Sequence, residues 1–194
     1  MILTDREIEI ALERGQISIE PRPSREALSS TSIDLTLANT FAEWLARPGQ
    51  AIRPGAEGYV YSQVARELQR RIDVDQYTLP PKAFVLAWTA ERISVPVNSR
   101  LAARVEGKSS LARLGVGIHI TAPTIHSGFE GQIQLEMFNF GPNAIILDAG
   151  MRVCQLIFEQ TVGTPSKGYQ GVFAKQTAKK KVKQKARPKP ARSR

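Results

Sequence analysis

Apolar residues recur along this chain with two different periods, and the change from one to the other organises it. In "LTDREIEIALERG", Ile8 and Leu12 stand four apart, Thr4 and Glu7 have capping-box spacing, and Gly15 supplies a stop. That pattern predicts an amphipathic opening helix. "QISIEPRP" predicts a short strand closed by prolines, and in "SSTSIDLTLANTFAEWL" the alternation of Ile33, Leu35 and Leu37 with polar residues predicts a half-buried strand. The stretch up to about Tyr77 has a weaker pattern, with "QVARELQRR" readable as a helix or as part of a surface excursion.

From Ala83 the period becomes two. "AFVLAW", "RLAARVEG", "GVGIHIT", "GQIQLEMFNF", "AIILDAG" and "RVCQLIFEQ" are short runs separated by Gly, Pro, Asn and Asp turn signals. Regularly spaced short strands predict a mainly β sandwich or barrel rather than alternating βαβ units. "SSLARLG" interrupts them as a turn or two of helix.

Composition refines this picture in three places. A chain of 194 residues suffices for one domain with a substantial core. No apolar run approaches the ~20 residues that span a bilayer, and the charged N-terminus does not resemble a signal peptide. The sequence therefore predicts a cytoplasmic protein with no membrane contact. The formal net charge of +9 is local: ten of the 27 basic residues lie from Lys175 onward with no acid among them, leaving 17 bases against 18 acids before that point. The expected organisation is a domain over residues 1–174 and a disordered basic tail over 175–194. That tail is either a solubilising appendage or a nucleic-acid contact. The single cysteine, Cys154, sits in an apolar run and reads as a buried, inert thiol; with only His119 and His126 beside it, the chain cannot assemble a structural zinc site.

Candidate chemistry concentrates in "EGKSSLARLGVGIHITAPTIHSGFEGQIQLEMFNFG". Ser109 and Ser110 open a predicted short helix directly after Lys108. Unpaired N–H groups, two hydroxyls and a lysine charge suit a phosphate, although a serine at a helix start is often only a cap. Farther on, Gln134, Glu136 and Phe138 share one face of a predicted strand, while Ile133, Leu135 and Met137 share the other.

The ordered motifs resemble those of the dUTPase/dCTP deaminase superfamily. "GKSSLARLG" resembles its phosphate-binding motif, "SIDLTL" its first motif with Asp34 at the acidic position, and "GMRVCQLIFE" its fourth motif with Gln155 at the glutamine. "TIHSGFEG" stands where the family has an Ile-Asp turn, and "KGYQGVFAKQT" resembles the C-terminal lid. The opening "DREIEIALERGQISIEPRP", with Arg113 in "SSLAR" and Glu136 in "QIQLEMFN", resembles the dCTP deaminases in particular.

The resemblance implies a jelly-roll-like, distorted β-barrel of the dUTPase type, with an N-terminal helix and a short helix after the phosphate-binding motif. It further implies a homotrimer with sites between subunits, dCTP as substrate, hydrolytic deamination to dUTP and ammonia, and dTTP as an inhibitor. Glu136 would be the general acid/base, its pKa raised by apolar neighbours such as Leu135 and Met137. Arg113, Ser109 and the carbonyl of Ala122 would hold the attacking water. Lys108, Ser109, Ser110, Leu111, Ala112, Arg113, His126, Gln134, Leu135, Glu136, Gln155, Tyr169 and Gln176 would bind the nucleotide. Mg²⁺ would arrive on the triphosphate. The zinc-deaminase signature, with its paired cysteines, is absent.

Three positions depart from the family pattern. His126 replaces an aspartate that serves phosphate hydrolysis in dUTPases, Thr124 stands where monofunctional deaminases often have arginine, and Lys108 replaces an arginine. dUTP pyrophosphohydrolysis, alone or coupled to deamination, and non-catalytic nucleotide sensing remain alternatives to deamination.

Overall fold

The computed structural model describes residues 1–171 and 173–178. Helix α1 (Asp5–Glu13) buries Ile8 and Ala11 and ends before Gly15, whose φ of 64° is a turn that glycine adopts freely. At its start the Thr4 hydroxyl meets the Glu7 carboxylate, and no side chain caps the backbone N–H groups, so the spacing is that of a capping box without its reciprocal bonds.

The strands then follow in order: β1 (Ser18–Glu20), β2 (Leu28–Ser29) and the long β3 (Ser32–Trp44). Helix α2 (Tyr61–Leu68) runs directly into β4 (Gln69–Asp73), followed by β5 (Gln76–Leu79), β6 (Phe84–Ser94) and β7 (Leu101–Gly107). After the four-residue α3 (Ser109–Ala112) come β8 (Val116–Gly117), β9 (Thr124–Ile125), β10 (Glu130–Asn139), β11 (Ile145–Asp148) and β12 (Arg152–Gln160). The protein is mainly β, as the alternation predicted.

Ten strands form one curled sheet in the order β8-β10-β6-β3-β12-β7-β9, with β1 added to β6 and β2 and β4 to β3; β5 and β11 pair separately. The curl has a local cause. The first half of β3 pairs with β12, and the second half pairs with β6 and β4, with register shifts between Leu37 and Phe41 and between Arg152 and Cys154. Bulges raise local twist, so β3 bends the sheet around its own core. Glu91 helps fix that bend: its buried carboxylate accepts bonds from the Thr36 N–H at 3.0 and 3.1 Å and from the Thr36 hydroxyl at 2.7 Å.

Two expectations change. Ser32 to Leu35 are buried on both faces, because β3 is central and covered on each side. "GVGIHIT" forms only the two-residue β8, after which the chain leaves the ladder. Beyond residue 174, Ala178 is 6% exposed and packs near Ala42, Leu86 and Trp88. The remainder of the predicted tail, residues 179–194, lies outside the described residues. No helix among the described residues is long and apolar enough to cross a membrane.

Candidate active site

Strand β10 alternates as its sequence predicted. Ile133, Leu135 and Met137 are buried at 3%, 1% and 0% exposure, while Gln134, Glu136 and Phe138 are half-buried on the opposite face. Register with β6 sets Glu136 opposite Leu86 and Gln134 opposite Trp88. Leu86 and Trp88 are almost wholly covered, so Glu136 stands in an apolar surround at the edge of solvent. Burial raises the Glu136 carboxyl above its ordinary value, while the Ile120 backbone N–H and the nearby His119 pull it back. The expected direction is present but its cause differs. Leu135 and Met137 point into the core on the far face, and the desolvating neighbours come from the adjacent strand.

Glu136 opens into a cleft of about 340 Å³, within the usual range for a small-molecule site. Ala122, His126, Gln134, Tyr169 and Gln176, all singled out from sequence, line the same cleft, together with Pro123, Phe129 and Phe173. The His126 and Tyr169 rings stack with centroids 5.0 Å apart at 28°. Leu135, also singled out from sequence, does not line the cleft, since its side chain points to the core on the opposite face. Any contact it makes with a nucleotide is through its backbone.

The C-terminal segment closes one side of the cleft through its own backbone. Tyr169 N–H donates to the Ser127 carbonyl at 2.9 Å. The N–H groups of Glu130 and Gln132 donate to the carbonyls of Ala174 and Gln176, each at 3.1 Å. Ala178 N–H donates to the Gln132 Oε1 at 2.8 Å. Two glycines permit this approach. A Cβ on Gly128, whose φ is 90°, would lie 2.7 Å from the Gly168 Cα, and one on Gly131 would lie 2.5 Å from the Gln176 carbonyl oxygen.

The phosphate-type motif forms a separate cluster. Lys108 Nζ pairs with Asp34 Oδ2 at 2.6 Å, and Asp34 is only 7% exposed. Gln155 lies opposite both Asp34 and Glu106 in the ladder. Its Oε1 accepts from the Ser32 hydroxyl at 3.0 Å, and its Nε2 donates to the Gly107 carbonyl at 3.2 Å. First, second and fourth motifs thus meet at one corner, where Gln155 and Asp34 hold the residues that lead into α3. Ser109, Ser110, Ala112 and Arg113 are exposed on α3 and just after it, and Leu111 is half-buried against the core. None of residues 108–113, nor Gln155, lines the cleft around Glu136. Within one chain, then, the groups expected to hold the attacking water divide: Ala122 is with Glu136, while Ser109 and Arg113 are apart from it.

His119 lies between these groups. Its Nε2 is 3.8 Å from Glu106 Oε2, and Glu106 is bridged by Arg104 at 2.9 Å. Cys154 is fully buried, and burial holds its thiol well above the ordinary range, so it takes no part in nucleophilic chemistry. Sequence reasoning missed Pro123 and Phe129 at the cleft, whose apolar character carries no signal distinct from core packing.

Comparison with known proteins agrees with this geometry. A family profile described as dCTP deaminase-like matches residues 2–161. The chain is 38% identical over 173 residues to a dCTP deaminase of Shewanella amazonensis, covering 87% of this chain and 88% of that one. It is also 38% identical over 175 residues to a "dCTP deaminase, dUMP-forming" of Aquifex aeolicus, covering 89% of each. The crystal structure of a 2'-deoxycytidine 5'-triphosphate deaminase from Agrobacterium tumefaciens superposes with a TM-score of 0.62 at 20% identity, over 82% of this chain. This chain spans about half the length of that one, 48%. The profile and the relatives together cover nearly the whole described chain: it belongs to the dCTP deaminase-like family.

Proposed function

We propose that the protein deaminates dCTP by hydrolysis, releasing dUTP and ammonia, in a homotrimer whose clefts are each completed by α3 of a neighbouring copy. The observation that carries the reading is Glu136, a carboxyl raised by burial and aimed into a cleft lined by the other base-side candidates. A water at C4 of the cytosine gives a proton to the Glu136 carboxylate as its oxygen bonds to carbon. Glu136 passes that proton to N3, and the second water proton follows to the amine as the C4–N bond breaks. A carboxyl whose pKa is raised by burial serves both directions of transfer. The Ala122 carbonyl accepts a hydrogen bond from the water, and Gln134 and His126 address the base and sugar.

Ser109 and Arg113 of a neighbour supply the cationic and hydroxyl donors that one chain leaves outside the cleft. Lys108 has no lone pair for a metal, and Ser109 and Ser110 offer hydroxyls without a carboxylate beside them among the described residues, which fits Mg²⁺ carried on the phosphates. In that role the ion neutralises phosphate charge and the three residues hold the phosphate oxygens.

A second reading, coupled hydrolysis to dUMP, is raised by the dUMP-forming relatives. Against it, Glu136 is the sole carboxylate lining the cleft among the described residues, and His126 stands where an aspartate would activate a second water. We therefore assign dUTP as the product.

The test is to incubate the protein with dCTP, CTP, dCMP and dUTP plus Mg²⁺ and separate the products. Ammonia and dUTP from dCTP are expected; pyrophosphate release would establish the second reading, and tight binding without turnover would establish a sensor. Mixing two inactive variants, Glu136→Gln and Arg113→Ala, tests the shared site. Random assembly leaves about one quarter of sites with both native residues, so activity returns to about that fraction. No recovery after subunit exchange would refute it.

A further inference from the structure

Helix α2 has the apolar spacing i, i+3, i+4, i+7 in Tyr61, Val64, Ala65 and Leu68, and these four face inward while the intervening residues are exposed. Its C-terminal end is tied to the sheet: Leu68 is buried, the Leu45 N–H donates to the Leu68 carbonyl at 2.7 Å, and β4 continues without a loop. At the other end Tyr61 is held from the sheet side. Its ring meets Trp44 edge-on at 6.3 Å and 71°, and its hydroxyl accepts from Gln69 Nε2 at 3.4 Å. The free edge of Tyr61 meets Phe173 at 5.3 Å and 82°. Phe173 is 39% exposed and lines the cleft that holds Glu136.

We infer that Tyr61 is a positioning residue that holds the C-terminal segment shut over the cleft, acting on the nucleotide through Phe173. This rests on the deaminase reading above. The physical basis is an asymmetry of anchoring. Tyr61 sits on a helix continuous with the sheet, whereas Phe173 belongs to a segment with no strand of its own among its described residues. That segment is held by backbone bonds, the bonds of Thr177 and Ala178 to Gln132, the packing of Ala178, the His126–Tyr169 stack and this ring pair. The Tyr61–Phe173 contact forms only when the segment is docked, so it weights the docked state and leaves the chemistry alone. An edge-to-face pair of this geometry shifts such an equilibrium by about 2- to 10-fold.

The experiment is a double-mutant cycle on Tyr61→Ala and Phe173→Ala. The readouts are steady-state kinetics with dCTP and dCTP affinity by calorimetry, the latter in a Glu136→Gln background. Tyr61→Ala is expected to raise KM and Kd about 2- to 10-fold with kcat nearly unchanged, Phe173→Ala should raise them by at least as much, and the double variant should match Phe173→Ala. Tyr61→Phe keeps the ring and should restore native KM, which a merely structural loss of the hydroxyl would not. Additive effects in the cycle, or equal losses in kcat and thermal stability without a KM change, would overturn the inference. If Tyr61→Ala does not fold, Tyr61→Leu closes the cycle with α2 still packed. Because affinity is read without turnover, a wild-type protein that binds dCTP but does not deaminate it would fail the deaminase reading and leave this cycle legible.

Discussion

Gly131→Ala addresses the docking of the C-terminal segment, because the three atoms nearest the new methyl all belong to Gln176. Gly131 lies in β10, and its built Cβ falls 2.5 Å from the Gln176 carbonyl oxygen, 3.1 Å from its nitrogen and 3.4 Å from its carbonyl carbon. These are backbone atoms, so the segment must move. The contacts at risk are the two bonds from Glu130 and Gln132 N–H to the Ala174 and Gln176 carbonyls, each 3.1 Å. At about 1 kcal/mol apiece their loss weakens docking by about 2 kcal/mol, or about 30-fold. The fold itself should not suffer, since alanine in a strand narrows the unfolded ensemble and offsets ~0.4–1 kcal/mol. Hydrogen exchange reads the docking directly: the Glu130 and Gln132 amides should exchange about 30-fold faster. In the same variant the KM for dCTP should rise by up to that factor while the melting temperature changes little. Native exchange at both amides with a native KM would show that the segment does not hold this position in the working enzyme.

Three further outcomes follow from Glu136 and Asp34. Glu136→Gln should lower kcat by ~10²–10⁴-fold, the usual contribution of a general acid/base, with dCTP affinity retained within a few-fold. The same substitution should change stability with a defined sign. The folded-state pKa of Glu136 is raised, so this group contributes most below its unfolded value of about 4.3 and loses that contribution as pH rises through the raised value. Glu136→Gln should therefore melt higher than the native protein at pH 7–8, by a margin that shrinks on acidification; an unchanged difference across pH would refute the assigned direction. Lys108→Met leaves the Asp34 carboxylate, 7% exposed, with only Arg152 at 3.9 Å as a cation. Loss of the partner should cost about 3 kcal/mol, read as a lower urea midpoint.

Much of the fold was legible because strand burial is local information. The alternation in "GQIQLEMFNF" became β10 with the expected faces, and with it the orientation of Glu136. What failed was information carried by distant partners. Nothing in β3 announces that Ser32 to Leu35 are buried on both faces, because its central place in the sheet depends on pairing with β12, more than a hundred residues away. The same holds for the desolvation of Glu136. Leu135 and Met137 were its neighbours in sequence, but Leu86 and Trp88 are its neighbours in register. The amphipathic stripe of α2 was visible in principle from Tyr61 to Leu68, yet its contact with Phe173 depends on how the chain returns after β12.

The division of the candidate site follows from how the sheet is wired. Asp34, Gln155 and the carbonyl of Gly107 fix the start of α3 to the β3, β12 and β7 ladder. Glu136 rides on β10, which pairs on its inner side with β6 and at its end with the two-residue edge strand β8. Between them the chain has only Arg113 to Gly115 before β8 begins, and Gly115 is pressed against Gly141, where a Cβ would lie 2.3 Å from the backbone nitrogen. That short, tightly packed connection prevents α3 from folding inward over its own cleft, and leaves Arg113 facing outward beside exposed Leu114 and Phe140. Under the shared-site proposal this arginine, exposed outside its own cleft, enters another copy's cleft, where among the described residues the Glu136 carboxyl has no comparable cation. Full deaminase activity at dilutions where the protein is monomeric would refute the proposal that Arg113 reaches the base from a neighbouring copy.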